Sequence, residues 1–128
     1  GTAMTIGELH ALGELVGARS GDKGGSANVG VWIPVVVPDR VGAYAWLRDW
    51  LTVEQVRILL PETQGLVIHR YELANLCALN FVIERWLGLG VSENSSLDPQ
   101  AKGLGEHIRA RLAPIPPELI PNAGVSLA

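Results

Sequence analysis

Residues 18–31, ARSGDKGGSANVGV, decide how the fold is interpreted, because they place a run of polar residues and glycines between two apolar segments. The segment before them, residues 11–19, is apolar and interrupted by glycine, which predicts a first strand. In residues 28–37 the apolar side chains recur at every second position, which predicts a second strand. We therefore predict a hairpin whose strands are joined by an eight-residue polar loop, residues 20–27. Because Pro34 has no N–H to donate, it indicates an edge or a bulge in the second strand.

The next segments predict two helices and a third strand. Asp39 is a suitable N-cap for a helix over residues 39–51, and Thr52 with Gln55 has the capping-box spacing for a shorter helix that ends near Pro61. Residues 65–73 then alternate as a strand does. We expect His69 on its apolar side, with Arg70 and Glu72 on the other.

The last third of the chain predicts further alternation of helix and strand. Apolar residues at helical spacing predict a helix from Asn75 to residue 87, and residues 90–97 predict a short fourth strand. Asp98 followed by Pro99 is a strong helix start, with an apolar stripe that runs on to Leu112. The predicted order is β-β-α-β-α-β-α. We therefore expect the α+β class, as a two-layer α/β sandwich on a mainly antiparallel sheet.

The composition excludes several classes of protein. The chain has 128 residues, which suits one domain, and a net charge of −3, which argues against a nucleic-acid-binding protein. Its one cysteine, Cys77, permits no intrachain disulfide and fits a reducing cytoplasm. The first residues lack the features of a signal peptide, and the apolar run 29–38 is too short to span a membrane. The three histidines show no metal-ligand spacing, so we expect no metal and no cofactor.

The polar loop is the best candidate for a site. Backbone N–H groups of a glycine-rich turn can converge on an anion, and Arg19 and Lys23 would add positive charge. Such a set suits a phosphate, a carboxylate or the oxyanion of a thioester. The nucleotide-binding loops fit badly, because Lys23 precedes Gly24-Gly25 and a strand follows instead of a helix. The alternative is a purely structural hairpin tip whose glycines take positive φ.

The candidate residues form three groups. Asp22, as acid or base, and Lys23, as an oxyanion stabiliser, are the catalytic candidates. The ligand-binding candidates are Arg19, Ser20, Gly21, Gly24, Gly25, Ser26 and Asn28. Residues that could support the loop are Arg70, Glu72 and Asn80. For Arg70 with Glu72 the simplest interpretation is an ion pair, and for His69 a core or interface residue.

The string RSGDKGGSAN (19–28), with the later segments 43–62, 67–91 and 96–112 in the same order, resembles the small C-terminal domain of the AtuA family, the acyclic terpene utilisation proteins. The resemblance implies a ferredoxin-like sandwich over residues 11–113, between a tag and leader (1–10) and a Pro-rich tail (114–128). In larger members this domain follows a big N-terminal domain, so the chain looks like a stand-alone form. The family is associated with the breakdown of branched or terpenoid acyl-CoA compounds.

Two hypotheses about function follow. In the first, a small cytoplasmic domain of acyl-CoA metabolism binds an anionic or thioester group through residues 19–28; whether it also catalyses a reaction stays open. In the second, it is a non-catalytic accessory and oligomerisation module that docks on a larger acyl-CoA enzyme. We expect a homo-oligomer or such a docked complex, and no nucleic-acid or membrane partner.

Overall fold

The computed structural model describes residues 8–86 and 103–121, and its central feature is a four-stranded antiparallel sheet. The described strands are β1 (His10–Ala11), β2 (Gly17–Lys23), β3 (Ser26–Trp32), β4 (Ile68–Leu73), β5 (Ala78–Ile83) and β6 (Leu112–Ala113); the α-helices are α1 (Arg40–Trp50), α2 (Val53–Leu59) and α3 (Leu104–Arg109). The sheet order is β2-β3-β5-β4, and β1 pairs with β6 in a separate two-stranded ladder. Mixed helices and antiparallel strands confirm the α+β class. The element order is different from the predicted one.

The first hairpin is tighter than predicted. β2 and β3 pair residue by residue from Gly17↔Trp32 to Lys23↔Ser26, so the predicted eight-residue loop is a two-residue turn. Gly24 and Gly25 form it with φ of +60° and +96°, a backbone that glycine adopts without strain and that matches the twist of a tight hairpin. The polar residues 19–23 are therefore strand residues, and the predicted first strand over 11–19 is wrong in its position: a 3₁₀ turn occupies Leu12–Glu14.

The segment predicted as a helix from Asn75 to residue 87 contains a strand and no described α-helix. β5 spans Ala78–Ile83, and within it Leu79, Phe81 and Ile83 are fully buried while the residues between them are half-buried. That period of two suits a strand with one face on the core. The strand also pairs with β3 on one side and β4 on the other.

β3 lies in the interior of the sheet, so the predicted edge at Pro34 is wrong, because the strand already ends at Trp32. In β4 the predicted faces are reversed. His69 is exposed and bonds the carboxylate of Glu84, whereas Arg70 turns towards the helices. Of the two predicted roles of His69, the core one is wrong, because the core side of β4 begins with the half-buried Ile68; the interface role stays a prediction.

The first two helices begin where the sequence predicts. The Asp39 carboxylate accepts a hydrogen bond from the Gly42 N–H at 2.9 Å, and the Thr52 hydroxyl accepts one from the Gln55 N–H at 3.1 Å. Each cap satisfies a backbone donor that the first turn of a helix leaves open.

Tyr44 connects α1 to the sheet. Its hydroxyl donates to the carbonyl oxygen of Ala78 at 3.0 Å, and burial raises the pKa of this phenol above its usual 10.0.

The C-terminal part of the described chain closes the core over β2. Gly105 of α3 packs directly against β2: a Cβ added at Gly105 would lie 3.2 Å from the backbone nitrogen of Arg19. Arg109 donates to the carbonyls of Val16 and Gly13, and Ile115 is buried beyond β6. The predicted strand over 90–97 and the helix start at Asp98 lie outside the described residues. None of the described helices is long and apolar enough to cross a membrane.

Candidate functional site

Alternation along the first hairpin divides the candidate residues between the two faces of the sheet. On β2 the side chains of Arg19 and Lys23 leave the face opposite the core, whereas Ser20 and Asp22 leave the core-facing side, since Asp22 pairs with the buried Ala27. On β3 the same register puts Asn28 and its alternate neighbours on the face of Arg19. The candidate side chains therefore do not all point towards one place, as they would if the segment were a single loop.

We call this face the outer sheet face. Its positions, from β2 to β4, are Gly17, Arg19, Gly21, Lys23, Ser26, Asn28, Gly30, Trp32, Ala78, Asn80, Val82, Glu84, Val67, His69, Tyr71 and Leu73. The buried strand residues all lie on the opposite face, and no described helix covers the outer one. Side chains here are half-buried or exposed, so they are available to a ligand or partner.

An open groove of about 370 Å³ runs along the β2–β3 half of this face. Its lining residues are Arg19, Ser20, Gly21, Asp22, Lys23, Asn28, Gly30, Trp32 and Asn80. Two glycines create the space. A Cβ at Gly21 would meet nothing within 4 Å, and one at Gly30 would only reach ordinary contact with Asn80, 3.7 Å away. The groove is thus the volume that two missing side chains leave on a sheet.

Trp32 closes one end of the groove. Its indole lies directly against Gly17 of β2, where an added Cβ would sit 2.6 Å from the ring. Only glycine permits that approach, so the residue opposite Trp32 in the ladder determines where the indole lies. The ring supplies an apolar surface beside polar neighbours, a combination common at ligand sites.

The charge and hydrogen-bonding groups of the groove favour an electron-rich ligand. Arg19 and Lys23 are exposed, and the described residues give neither of them a carboxylate partner. Among the lining residues Asp22 is the only carboxylate, and its side chain starts on the other face. The amide oxygen of Asn28 is buried and accepts no hydrogen bond in the described structure. Buried polar atoms are normally paired, so this oxygen lacks a donor that the described residues could have supplied.

The other candidates have separate places in the sheet. The Ser20 hydroxyl accepts a hydrogen bond from the Gly105 N–H at 2.8 Å, which ties β2 to α3. Gly24 and Gly25 form the turn, and Ser26 lies beside it on the outer sheet face. Asn80, expected in a helix, lies in β5 opposite Gly30 and lines the groove.

Arg70 and Glu72 lie on the core-facing side of β4, away from the groove. Their predicted ion pair is confirmed, with Arg70 Nη1 donating to Glu72 Oε2 at 2.8 Å. The same guanidinium donates to the carbonyls of Leu51 and Arg48, at 3.1 and 2.6 Å. It therefore satisfies the carbonyls that the end of α1 leaves open.

Sequence reasoning missed Gly30 and Trp32 as groove residues, and it missed the neighbouring pair of His69 and Glu84. The period of two from Ser26 through Asn28 and Gly30 to Trp32 was the available signal, because it extends the strand back into the supposed loop. Within the parts of the chain that the structure describes, no three His, Cys, Asp or Glu side chains form a metal-binding group.

A family model described as the AtuA ferredoxin-like domain matches residues 10–112. That range contains all six described β-strands except the last residue of β6, all three α-helices and the whole groove. No curated protein and no solved structure matches the chain.

Proposed function

The chain belongs to the AtuA ferredoxin-like domain family, and on that premise we propose that it binds an anionic or thioester-bearing acyl compound in the groove of the outer sheet face. The proposed setting is cytoplasmic acyl-CoA metabolism of terpenoid or branched acyl groups, which is the association that the family resemblance brings. The groove residues supply the chemical argument.

The observation that carries this proposal is the donor set around the glycine floor. Arg19 and Lys23 present two cationic groups, and Asn28 and Asn80 present two carboxamides, beside Gly21 and Gly30. A carboxylate, or a thioester carbonyl that gains negative charge, accepts hydrogen bonds from such groups, and charged donors bind it more strongly than neutral ones.

The size of the groove limits which part of a ligand it can hold. Ligand pockets usually enclose about 300–1,000 Å³, so a groove of about 370 Å³ suits an acyl head group with part of its chain and not a whole acyl-CoA. Trp32 gives the chain an apolar wall, while the nucleotide part of a CoA ester would extend into solvent. The proposal therefore concerns the acyl and thioester end of the molecule.

The proposal is one of binding. Asp22 and Lys23 start from opposite faces of β2, and the proposal assigns them no acid–base step. Lys23 and Arg19 would stabilise negative charge on a bound group. That interaction serves the recognition of a carboxylate as well as the stabilisation of an oxyanion.

Isothermal titration calorimetry tests the site with three ligands: an acyl-CoA thioester, the corresponding free acid and CoA itself. We expect Arg19→Ala and Lys23→Ala each to weaken binding of the best ligand by about 10- to 100-fold, the range for one charge-assisted hydrogen bond. Arg48→Ala is the matched control, because it removes a cation from α1, in the helical layer.

The three ligands separate the outcomes. The thioester or the free acid should bind more tightly than CoA. The proposal is contradicted if no ligand gives a heat of binding, or if Arg48→Ala lowers the affinity as much as Arg19→Ala and Lys23→Ala do. Binding of CoA alone with the same affinity as its thioester would move the recognised group from the acyl end to the phosphates and would overturn the acyl assignment.

A further inference from the structure

The outer sheet face has two halves of opposite character. The β2–β3 half is hollow at Gly21 and Gly30 and carries the cations Arg19 and Lys23. The β5–β4 half is filled along its length and carries the Glu84 carboxylate. Its larger side chains are Val67, His69, Tyr71, Leu73, Asn80 and Val82. Val67 and Tyr71 are about half exposed (53% and 50%), which is a large apolar area for residues on a strand face.

From this complementarity we infer that a second copy of the chain packs against the outer sheet face, with a two-fold axis parallel to the strands. Such an axis places the β2–β3 half of each copy over the β5–β4 half of the other, while residues of the same row stay level. An isologous contact needs a surface that is complementary to itself, and two unlike halves on either side of the axis provide it.

The row-by-row register gives the contacts of that pairing. Rows of the sheet are Gly17–Trp32–Ala78–Leu73, Arg19–Gly30–Asn80–Tyr71, Gly21–Asn28–Val82–His69 and Lys23–Ser26–Glu84–Val67. The two-fold axis makes each row of one copy face the same row of the other copy in the opposite order. Large side chains then face small ones: Trp32 faces Ala78, Gly30 faces Asn80 and Gly21 faces His69.

The same reversal places the charged groups near suitable partners. Arg19 faces the ring of Tyr71, which permits a cation–π contact. Lys23 faces Val67 and lies one strand away from the Glu84 carboxylate, which faces Ser26. Opposite charges across an interface favour correct docking and its register more than its affinity.

The area is that of a small interface. Four strands about 4.8 Å apart and about seven residues long at about 3.4 Å per residue cover roughly 450 Å² of flat sheet. Two copies together therefore bury about 900 Å² of flat sheet, and side-chain relief raises this value towards the roughly 1,200 Å² at which specific interfaces begin.

The second copy would also cover the groove. Its Tyr71 and His69 would lie over Arg19 and Gly21, so the second copy and a ligand would compete for the hollow at Gly21 and Gly30. The dimer itself does not depend on the proposed ligand, since its argument uses only the shape and charge of the face.

Sedimentation equilibrium tests the dimer. Wild type should be dimeric, and Leu73→Asp should raise the dimer dissociation constant by about a hundredfold or more, because an unpaired carboxylate would be buried. Val41→Asp is the matched control: it puts the same charge on α1, where the side chain is 80% exposed. Both positions are accessible in the monomer (Leu73 is 39% exposed), so circular dichroism should show both variants folded.

Cross-linking tests the axis. In a Cys77→Ser background, the double variant Gly21→Cys with His69→Cys should form a covalent dimer with a short bis-maleimide, whose reach suits packed sheets about 10 Å apart. Each single-cysteine variant should not. A wild type that is monomeric at every concentration, Leu73→Asp protein as dimeric as wild type, or a single-cysteine variant that cross-links equally well overturns the inference. Ligand binding by a monomeric wild type would leave the proposed function standing and refute the dimer alone.

Discussion

Arg70→Ala should destabilise the fold and leave the groove intact. The guanidinium donates to the carbonyls of Leu51 and Arg48 at the end of α1, and its side chain is only 19% exposed. Hydrogen bonds from a charged donor are worth about 1.5–3 kcal/mol each, and partial exposure with relaxation of the helix end reduces their sum. We therefore expect a loss of about 2–3 kcal/mol in the free energy of unfolding.

Urea denaturation followed by tryptophan fluorescence measures this loss. Glu72→Ala is the control: it removes the carboxylate partner, 49% exposed, and should cost less than about 1 kcal/mol. For a domain of this size the Arg70 effect corresponds to a fall in melting temperature of roughly 8–15 °C. A change within 0.5 kcal/mol of wild type (about the usual range of a surface substitution), or a loss of ligand binding by folded Arg70→Ala protein, would refute the helix-end role.

Two further predictions concern the turn and the helix–sheet contact. Gly24→Ala should lower the free energy of unfolding by about 1 kcal/mol in urea denaturation, because the φ of Gly24 is +60°. Gly21→Ala should not lower it, because Gly21 lies in a strand with open space around an added Cβ. Equal losses in the two variants would contradict the turn geometry. In Tyr71→Phe protein, absorbance at high pH should show Tyr44 ionising with a pKa above 10.0, because burial and then the Glu72 carboxylate disfavour the phenolate. The stabilising contribution of this neutral phenol should be complete below pH 10.0 and disappear as pH rises through its folded-state pKa; a midpoint at or below 10.0 would be the contrary result.

The sequence predicts the starts of the two capped helices and the existence of the hairpin, because local rules determine them, but it misplaces the first strand and makes the turn too long. Asp39 and Thr52 cap their own helices, and adjacent strands joined by glycines pair without help from distant residues. β5 was misjudged because its apolar residues also fit helical spacing; short apolar runs are ambiguous in this way, and pairing with β3 and β4 decides the outcome. That pairing is tertiary, so the local pattern does not contain it.

The candidate site shows the same division. Arg19, Lys23 and Asn28 do lie in one groove, as the glycine-rich segment suggested. The sequence does not predict how these side chains are arranged, because the segment was interpreted as a loop. In a strand alternate side chains point to opposite faces, and this separates Asp22 and Ser20 from the others. Low β-propensity of glycine and charged residues concealed the strand, and Asn80 joins the groove only through the β3–β5 register.

Chemical-shift mapping by NMR tests the central claim, that the outer sheet face holds the ligand. Titration with the acyl ligand should shift the amides of Gly21 and Gly30, the side-chain amides of Asn28 and Asn80, and the indole N–H of Trp32, while α1 and α2 stay unchanged. Shifts confined to the helical layer, or none at saturating ligand, would contradict the account.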